Sequence, residues 1–134
     1  MIKKGVKQLI AEAEQRSKGI SIEAARARLG EANTVFVDIR DVRELEREGM
    51  IPGAFHAPRG MLEFWVDPES PYFKPAFGED KTFILYCQVD WRGTLAAATL
   101  VDMGMTNVLH LEGGFTEWRK AGAPIGPKPE KKKT

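Results

Sequence analysis

Short apolar runs alternate along the chain with segments whose apolar residues recur every three or four positions. That alternation predicts strands interleaved with helices, and so an α/β fold with a parallel sheet covered on both faces. Thr34-Val35-Phe36-Val37 is β-branched and aromatic, and reads as a buried strand ending at Asp38. Residues 82–86, built on Phe83-Ile84-Leu85-Tyr86, form a second strand, and Val108-Leu109-His110-Leu111 a third. A shorter strand is expected near 54–56, after a turn at Ile51-Pro52-Gly53.

The helical segments carry their own punctuation. Val6, Leu9, Ile10 and Ala13 lie on one face of an N-terminal amphipathic helix, which would pack on the domain, on a second copy in a homodimer, or on a protein partner. Ser21 is an N-cap for a helix over 22–29, with Gly30 as its stop. Asp41 and Glu44 form a capping box for a helix that ends before Gly49. A short helix is expected over 60–65, a proline-rich loop over 68–77, and a helix over 93–103 closed by Gly104. Gly113-Gly114 reads as a turn before a helix over 116–120. The organisation expected is an extension over 1–19, a single domain over 20–124 and a disordered tail over 125–134.

Composition narrows the function classes. The chain has 134 residues, 43% hydrophobic and 29% charged, enough for one domain with its own core. A net charge of +1 argues against a general nucleic-acid binder, and Lys131-Lys132-Lys133 reads as a solvated end. No window approaches the roughly 18 apolar residues of a membrane span, and no secretory signal is evident, so a cytoplasmic protein is expected. The single cysteine excludes an internal disulfide and fits a reducing compartment. One cysteine and the well-separated His56 and His110 do not supply a four-ligand metal site.

That cysteine, Cys87, stands where the second long strand ends. A six-residue segment, Cys87-Gln88-Val89-Asp90-Trp91-Arg92, leads into the helix-forming Gly93-Thr94-Leu95-Ala96-Ala97-Ala98. Loop N–H groups and the first turn of the helix would converge on the sulfur and favour the thiolate, the nucleophilic form. The competing reading is an inert buried cysteine. Arg92 would offer a fork of donors to an oxyanion, or else form a structural salt bridge.

Three segments, in order, resemble the rhodanese family. They are Asp38-Ile39-Arg40-Asp41 with Glu44, Gly49-Met50-Ile51-Pro52-Gly53-Ala54 and His56; Tyr86-Cys87 through Arg92 with Ala96-Ala97; and Leu111-Glu112-Gly113-Gly114-Phe115 with Trp118. The resemblance spans roughly 20–124 and implies a central five-stranded parallel sheet flanked by helices on both faces. It implies a sulfurtransferase that carries sulfane sulfur as a Cys87 persulfide, from a small donor such as thiosulfate to an external thiol or cyanide, without a cofactor. In the related cell-cycle phosphatases the loop is one residue longer and admits a tetrahedral phosphate. The length from Cys87 to Arg92 is the sulfurtransferase one.

The loop departs from the family in the part that would meet substrate. Relatives often place small residues after the cysteine and a serine after the arginine; here stand Gln88, Val89, Asp90 and Gly93. With Trp91, Arg92 and Arg59 these are the candidate substrate-binding residues. An Asp90 carboxylate about 6 Å from a thiolate would oppose it by roughly 3 kcal/mol at an effective dielectric near 20. Alternatively Asp90 pairs with Arg92 or Arg59. An altered loop is also consistent with a low-activity sulfur carrier or a protein-binding module.

Asp38, Arg40 and His56 are assigned to structural support of the site. Arg59 would lean over the pocket or remain solvated, and Trp91 would be exposed or lid the sulfur. Phe64, Trp65, Tyr72, Phe73 and Trp118 are read first as core.

Overall fold

A computed structural model describes residues 1–130 of the chain. Five parallel strands form one sheet: β1 (Gly19–Ile20), β2 (Thr34–Asp38), β3 (Phe55–His56), β4 (Thr82–Tyr86) and β5 (Val108–Leu111), in the order β1-β5-β4-β2-β3. The helices are α1 (Val6–Arg16), α2 (Ile22–Ala27), α3 (Val42–Glu48), α4 (Leu62–Val66), α5 (Trp91–Asp102) and α6 (Gly114–Lys120). The expected five-stranded parallel α/β architecture is therefore present.

The two-residue alternation of the strands sorts the core into two layers. Val37, Phe83, Leu85 and then Cys87 face Leu62 and Val66 of α4 and Ala96, Ala97 and Leu100 of α5. Phe36, Ile84, Tyr86 and Leu111 face Ala25 of α2 and Phe115 and Trp118 of α6. Because β4 is the middle strand, the loop that follows it emerges between both layers at the carboxyl edge of the sheet. Such edges are where open α/β sheets bind ligands.

β2 and the long strands β4 and β5 match the runs in the sequence, and Trp118 is fully buried. Differences cluster where the pattern is weak. β1 has only two residues, too few for a periodic signal, and is held by pairing with His110 and Leu111. The helix expected from 93 begins at Trp91, because the residue before it, Asp90, takes the left-handed conformation that ends the loop. The expected loop over 68–77 overlaps a 3-10 turn at Pro75–Gly78. Phe64 and Tyr72 are not core: they form an exposed edge-to-face pair with ring centres 6.4 Å apart.

The two termini are tied to the domain. Ile10 and Ala13 bury α1 against the fold, and Arg16 reaches Asp102 of α5 at 3.0 and 3.2 Å. The tail expected to be disordered from residue 125 is anchored at its start, where Gly126 and Met50 exchange two backbone hydrogen bonds of 2.8 Å. Lys131-Lys132-Lys133 lies outside the described residues.

Under the carboxyl edge sits a buried ion pair. Arg40 donates from Nε to Asp38 Oδ1 at 3.0 Å and from Nη2 to Asp38 Oδ2 at 2.9 Å, and both side chains are fully buried. Its remaining donors reach Gly49 O at 2.7 Å and Gln88 Oε1 at 3.1 Å, while its guanidinium lies 4.2 Å from the Phe115 ring centre. Burial opposes the Arg40 charge, but hydrogen bonding and attraction from Asp38 outweigh it and raise its pKa. His56 contacts Arg40 O through Nε2 at 2.8 Å. Removing one member of such a pair strands the other charge and typically costs about 3–5 kcal/mol. Arg40→Met should show a loss of that size in urea unfolding. The Asp38→Asn/Arg40→Met double variant should lose less than the two single losses summed.

Candidate active site

The loop after β4 wraps around the Cys87 sulfur. Sγ accepts the Asp90 N–H at 3.1 Å and the Gly93 N–H at 3.3 Å. The N–H groups of Val89, Trp91 and Arg92 meet no backbone or side-chain acceptor among the described residues. They remain available to an anionic group on the sulfur. The 12-residue α5 starts at this point, so its positive end adds to the same field. Cys87 itself is 1% exposed, and the flanking Val89 and Trp91 are 55% and 50% exposed. The mouth of the loop is therefore apolar and its floor is polar.

Neighbouring segments fix the loop from below. Phe115 N–H donates to Cys87 O at 2.8 Å and Thr116 N–H to Gln88 O at 3.0 Å. Gly114 makes this approach possible: a Cβ there would stand 2.6 Å from Cys87 O and 2.7 Å from Gln88 O, and its φ is +64°. The Gly113-Gly114 turn thus supports the Cys87 loop from β5 and α6. The Gln88 side chain takes part in this support. Its Nε2 donates to Glu48 Oε1 and Thr116 Oγ1, each at 3.2 Å, and its Oε1 accepts from Arg40. All of these partners of the Gln88 side chain lie within the protein.

Arg92 forms a two-pronged pair with Glu44, Nη1 to Oε1 and Nη2 to Oε2, both at 2.9 Å. Glu44 also closes the expected capping box by accepting the Asp41 N–H at 3.0 Å. The hydrogen bond from Arg92 lowers the Glu44 pKa against the opposing effect of burial, and Asp41 N–H adds to the lowering. Glu44 in return holds Arg92 charged, burial opposes, and the nearby Cys87 sulfur adds to the preference for charge. The expected structural salt bridge of Arg92 is thus present, with Glu44 as its partner. Arg59 is engaged by Glu63 one helical turn on, at 2.7 Å, while its backbone N–H holds Ile39 O at 3.1 Å.

Asp90 pairs with neither arginine. Its Oδ2 lies 2.7 Å from His110 Nδ1 on β5. It is the only non-glycine with positive φ among the described residues, at +75°. Burial raises its pKa, and the hydrogen bond and attraction of His110 pull it back in part. Its Oδ1 is buried without a hydrogen-bond partner, packed over Gly93. A Cβ on Gly93 would stand 2.6 Å from that oxygen. The two departures are thus one: the carboxylate of Asp90 occupies the space that a serine at 93 would need.

A family profile of the rhodanese-like domain matches residues 21–121, and the chain belongs to that family. A sulfurtransferase of Allochromatium vinosum is 32% identical over 107 residues, covering 79% of this chain and 92% of its own. The human thiosulfate:glutathione sulfurtransferase is 28% identical over 105 residues, covering 74% of this chain and 90% of its own. A solved structure from Rhodopseudomonas palustris is 50% identical with a TM-score of 0.91, covering 94% of this chain and 97% of that one; it is described as a protein of unknown function and possible tyrosine phosphatase. The human single-domain sulfurtransferase shares the fold with a TM-score of 0.65 at 24% identity, over 78% of this chain and 96% of its own.

Two outcomes follow from this geometry. Gly93→Ser should destabilise the protein by about 1–3 kcal/mol through overpacking, and Asp90→Gly should relieve most of that loss in the double variant. Chemical unfolding of the four proteins measures the coupling, and strictly additive losses would contradict the contact. The second concerns pH. A Glu44 pKa lowered on folding contributes stability that is present above its unfolded value, about 4.3, and is lost as pH falls through the folded value. Unfolding midpoints of Glu44→Gln should therefore fall less steeply than those of the unaltered protein as the solution is acidified below about pH 4.5.

Proposed function

We propose that the protein is a sulfurtransferase in which Cys87 carries sulfane sulfur as a persulfide. The observation that carries this reading is the sulfur at the end of the central strand, ringed by N–H groups in a loop whose last residue is Arg92. Family membership and the sulfurtransferases among its relatives support it. The Cys87 thiolate attacks the outer sulfur of a donor such as thiosulfate. A new S–S bond forms, the old one breaks, and sulfite leaves with the bonding electron pair. The terminal persulfide sulfur is anionic, and the loop N–H groups and the nearby Arg92 guanidinium are the donors that would hold it. An external thiolate or cyanide then attacks that outer sulfur and releases the Cys87 thiolate. With one cysteine in the chain, the second nucleophile comes from outside it.

The reading fits the departures in the loop. Asp90 faces His110 rather than the sulfur's open side, so its charge is not the barrier to an anionic donor that its position in the sequence suggests. The exposed Val89 and Trp91 favour a donor or acceptor with an apolar body, such as an organic persulfide or a protein-borne thiol, over a small free anion. Thiosulfate is then a weak donor and aryl or alkyl persulfides are better ones.

A second reading, phosphatase, rests on the description of the Rhodopseudomonas palustris relative. The six-residue span from Cys87 to Arg92 argues against it, since it leaves less room for a tetrahedral phosphate than the longer phosphatase loop. Turnover from thiosulfate to cyanide should fall to background in Cys87→Ser, whereas equal rates for the two proteins would exclude the sulfurtransferase reading. Hydrolysis of an aryl phosphate lost in the same variant would establish the phosphatase instead.

A further inference from the structure

His110 and Asp90 join two parts of the molecule that the reaction scheme leaves unconnected. His110 lies on β5, with its side chain almost wholly buried, and its Nδ1 is 2.7 Å from Asp90 Oδ2 and 3.4 Å from Thr94 Oγ1. Thr94 in turn donates from Oγ1 and N–H to Asp90 O, at 2.7 and 3.0 Å. Asp90 is held at both its carboxylate and its carbonyl. Its own N–H, between those anchors, points to Cys87 Sγ.

The hold matters because Asp90 has a left-handed backbone, which a residue with a Cβ adopts at a cost of about 1 kcal/mol or more. A glycine would take that conformation freely. Here the conformation, and with it the N–H on the sulfur, depends on side-chain contacts. The same contact with His110 answers the carboxylate's charge, which otherwise stands one loop turn from the nucleophile.

We propose that His110 is a positioning residue for Cys87: through Asp90 it pins the left-handed turn that aims an N–H at the sulfur, and it offsets the carboxylate that would oppose the thiolate. This rests on Cys87 being the nucleophile. His110 touches neither the sulfur nor a substrate. It faces a polar cleft of about 380 Å³ on the far side of the loop, lined by Glu14 and Ser17 of α1, Gly19, Asp90, Thr94 and Glu112. The charged and titratable groups around it are therefore Glu14, Asp90 and Glu112, with Lys18 accepting the His110 N–H through its backbone carbonyl at 3.0 Å and Cys87 across the loop.

The test is alkylation of Cys87 by iodoacetamide, followed by mass spectrometry at pH 7 and at pH 10, where a thiol is ionised without assistance. His110→Leu keeps the bulk of the ring and removes the donor. It should slow alkylation at pH 7 about five-fold or more and leave the rate at pH 10 within two-fold. His110→Asn, whose side-chain amide can occupy the place of Nδ1–H, should restore most of the pH 7 rate. In an Asp90→Gly background, His110→Leu should change the pH 7 rate by less than two-fold, because glycine needs no anchor and brings no charge. A pH 7 rate that His110→Leu leaves unchanged, or the same slowing in both backgrounds, would overturn the proposal. Slow alkylation of the unaltered protein at pH 7, at the rate of an ordinary thiol, would count against Cys87 as an activated nucleophile and so against the sulfurtransferase reading itself.

Discussion

Everything in this site depends on backbone N–H groups converging on one sulfur atom. A sulfur anion at a sheet edge is stable only where fixed dipoles replace the water it loses, and this loop supplies them from Asp90, Gly93 and the start of α5. Each surrounding element serves that convergence. The alternation of β4 turns Cys87 toward the α4–α5 layer. Gly114 lets the β5–α6 turn come close enough to hold the carbonyls of Cys87 and Gln88. Arg40, buried against Asp38, secures β2 and Gln88 beneath the same loop.

Charge around the sulfur is arranged in pairs. Arg92 is positive and near the sulfur but shares its guanidinium with Glu44, which also caps α3. The Asp90 carboxyl is near the sulfur but faces His110. Each of the two groups near Cys87 has a partner of its own. The sulfur itself accepts backbone N–H groups, from Asp90 and Gly93, and contacts of that kind are less sensitive to salt than a surface ion pair. Val89 and Trp91 expose apolar surface beside the loop.

Much of this was legible in the sequence. The long strands are continuous apolar runs, and Cys87 and Asp38 end two of them, so the site's place on the fold followed from periodicity. The capping box of Asp41 and Glu44 was visible from spacing, although the ion pair from Glu44 to Arg92 spans 48 positions and leaves no local trace. The role of His110 was hidden for the same reason: it lies 20 positions from Asp90, and only the adjacency of β5 to β4 brings them together. Asp90 and Gly93 looked like two separate departures from the family. Their shared cause, one carboxylate packed over one glycine, is a matter of three-dimensional contact. Reading Gly113-Gly114 as a turn was right in outline, but what the turn presses against was not in the pattern.

The central claim is that Cys87 accepts and holds one sulfur atom. Intact-mass measurement of the protein after brief exposure to a sulfane donor, before and after addition of an external thiol, tests it most directly. The account predicts a gain of one sulfur atom, located at Cys87 by fragmentation and removed by the thiol. A protein whose mass stays unchanged with thiosulfate and with organic persulfides alike would contradict it.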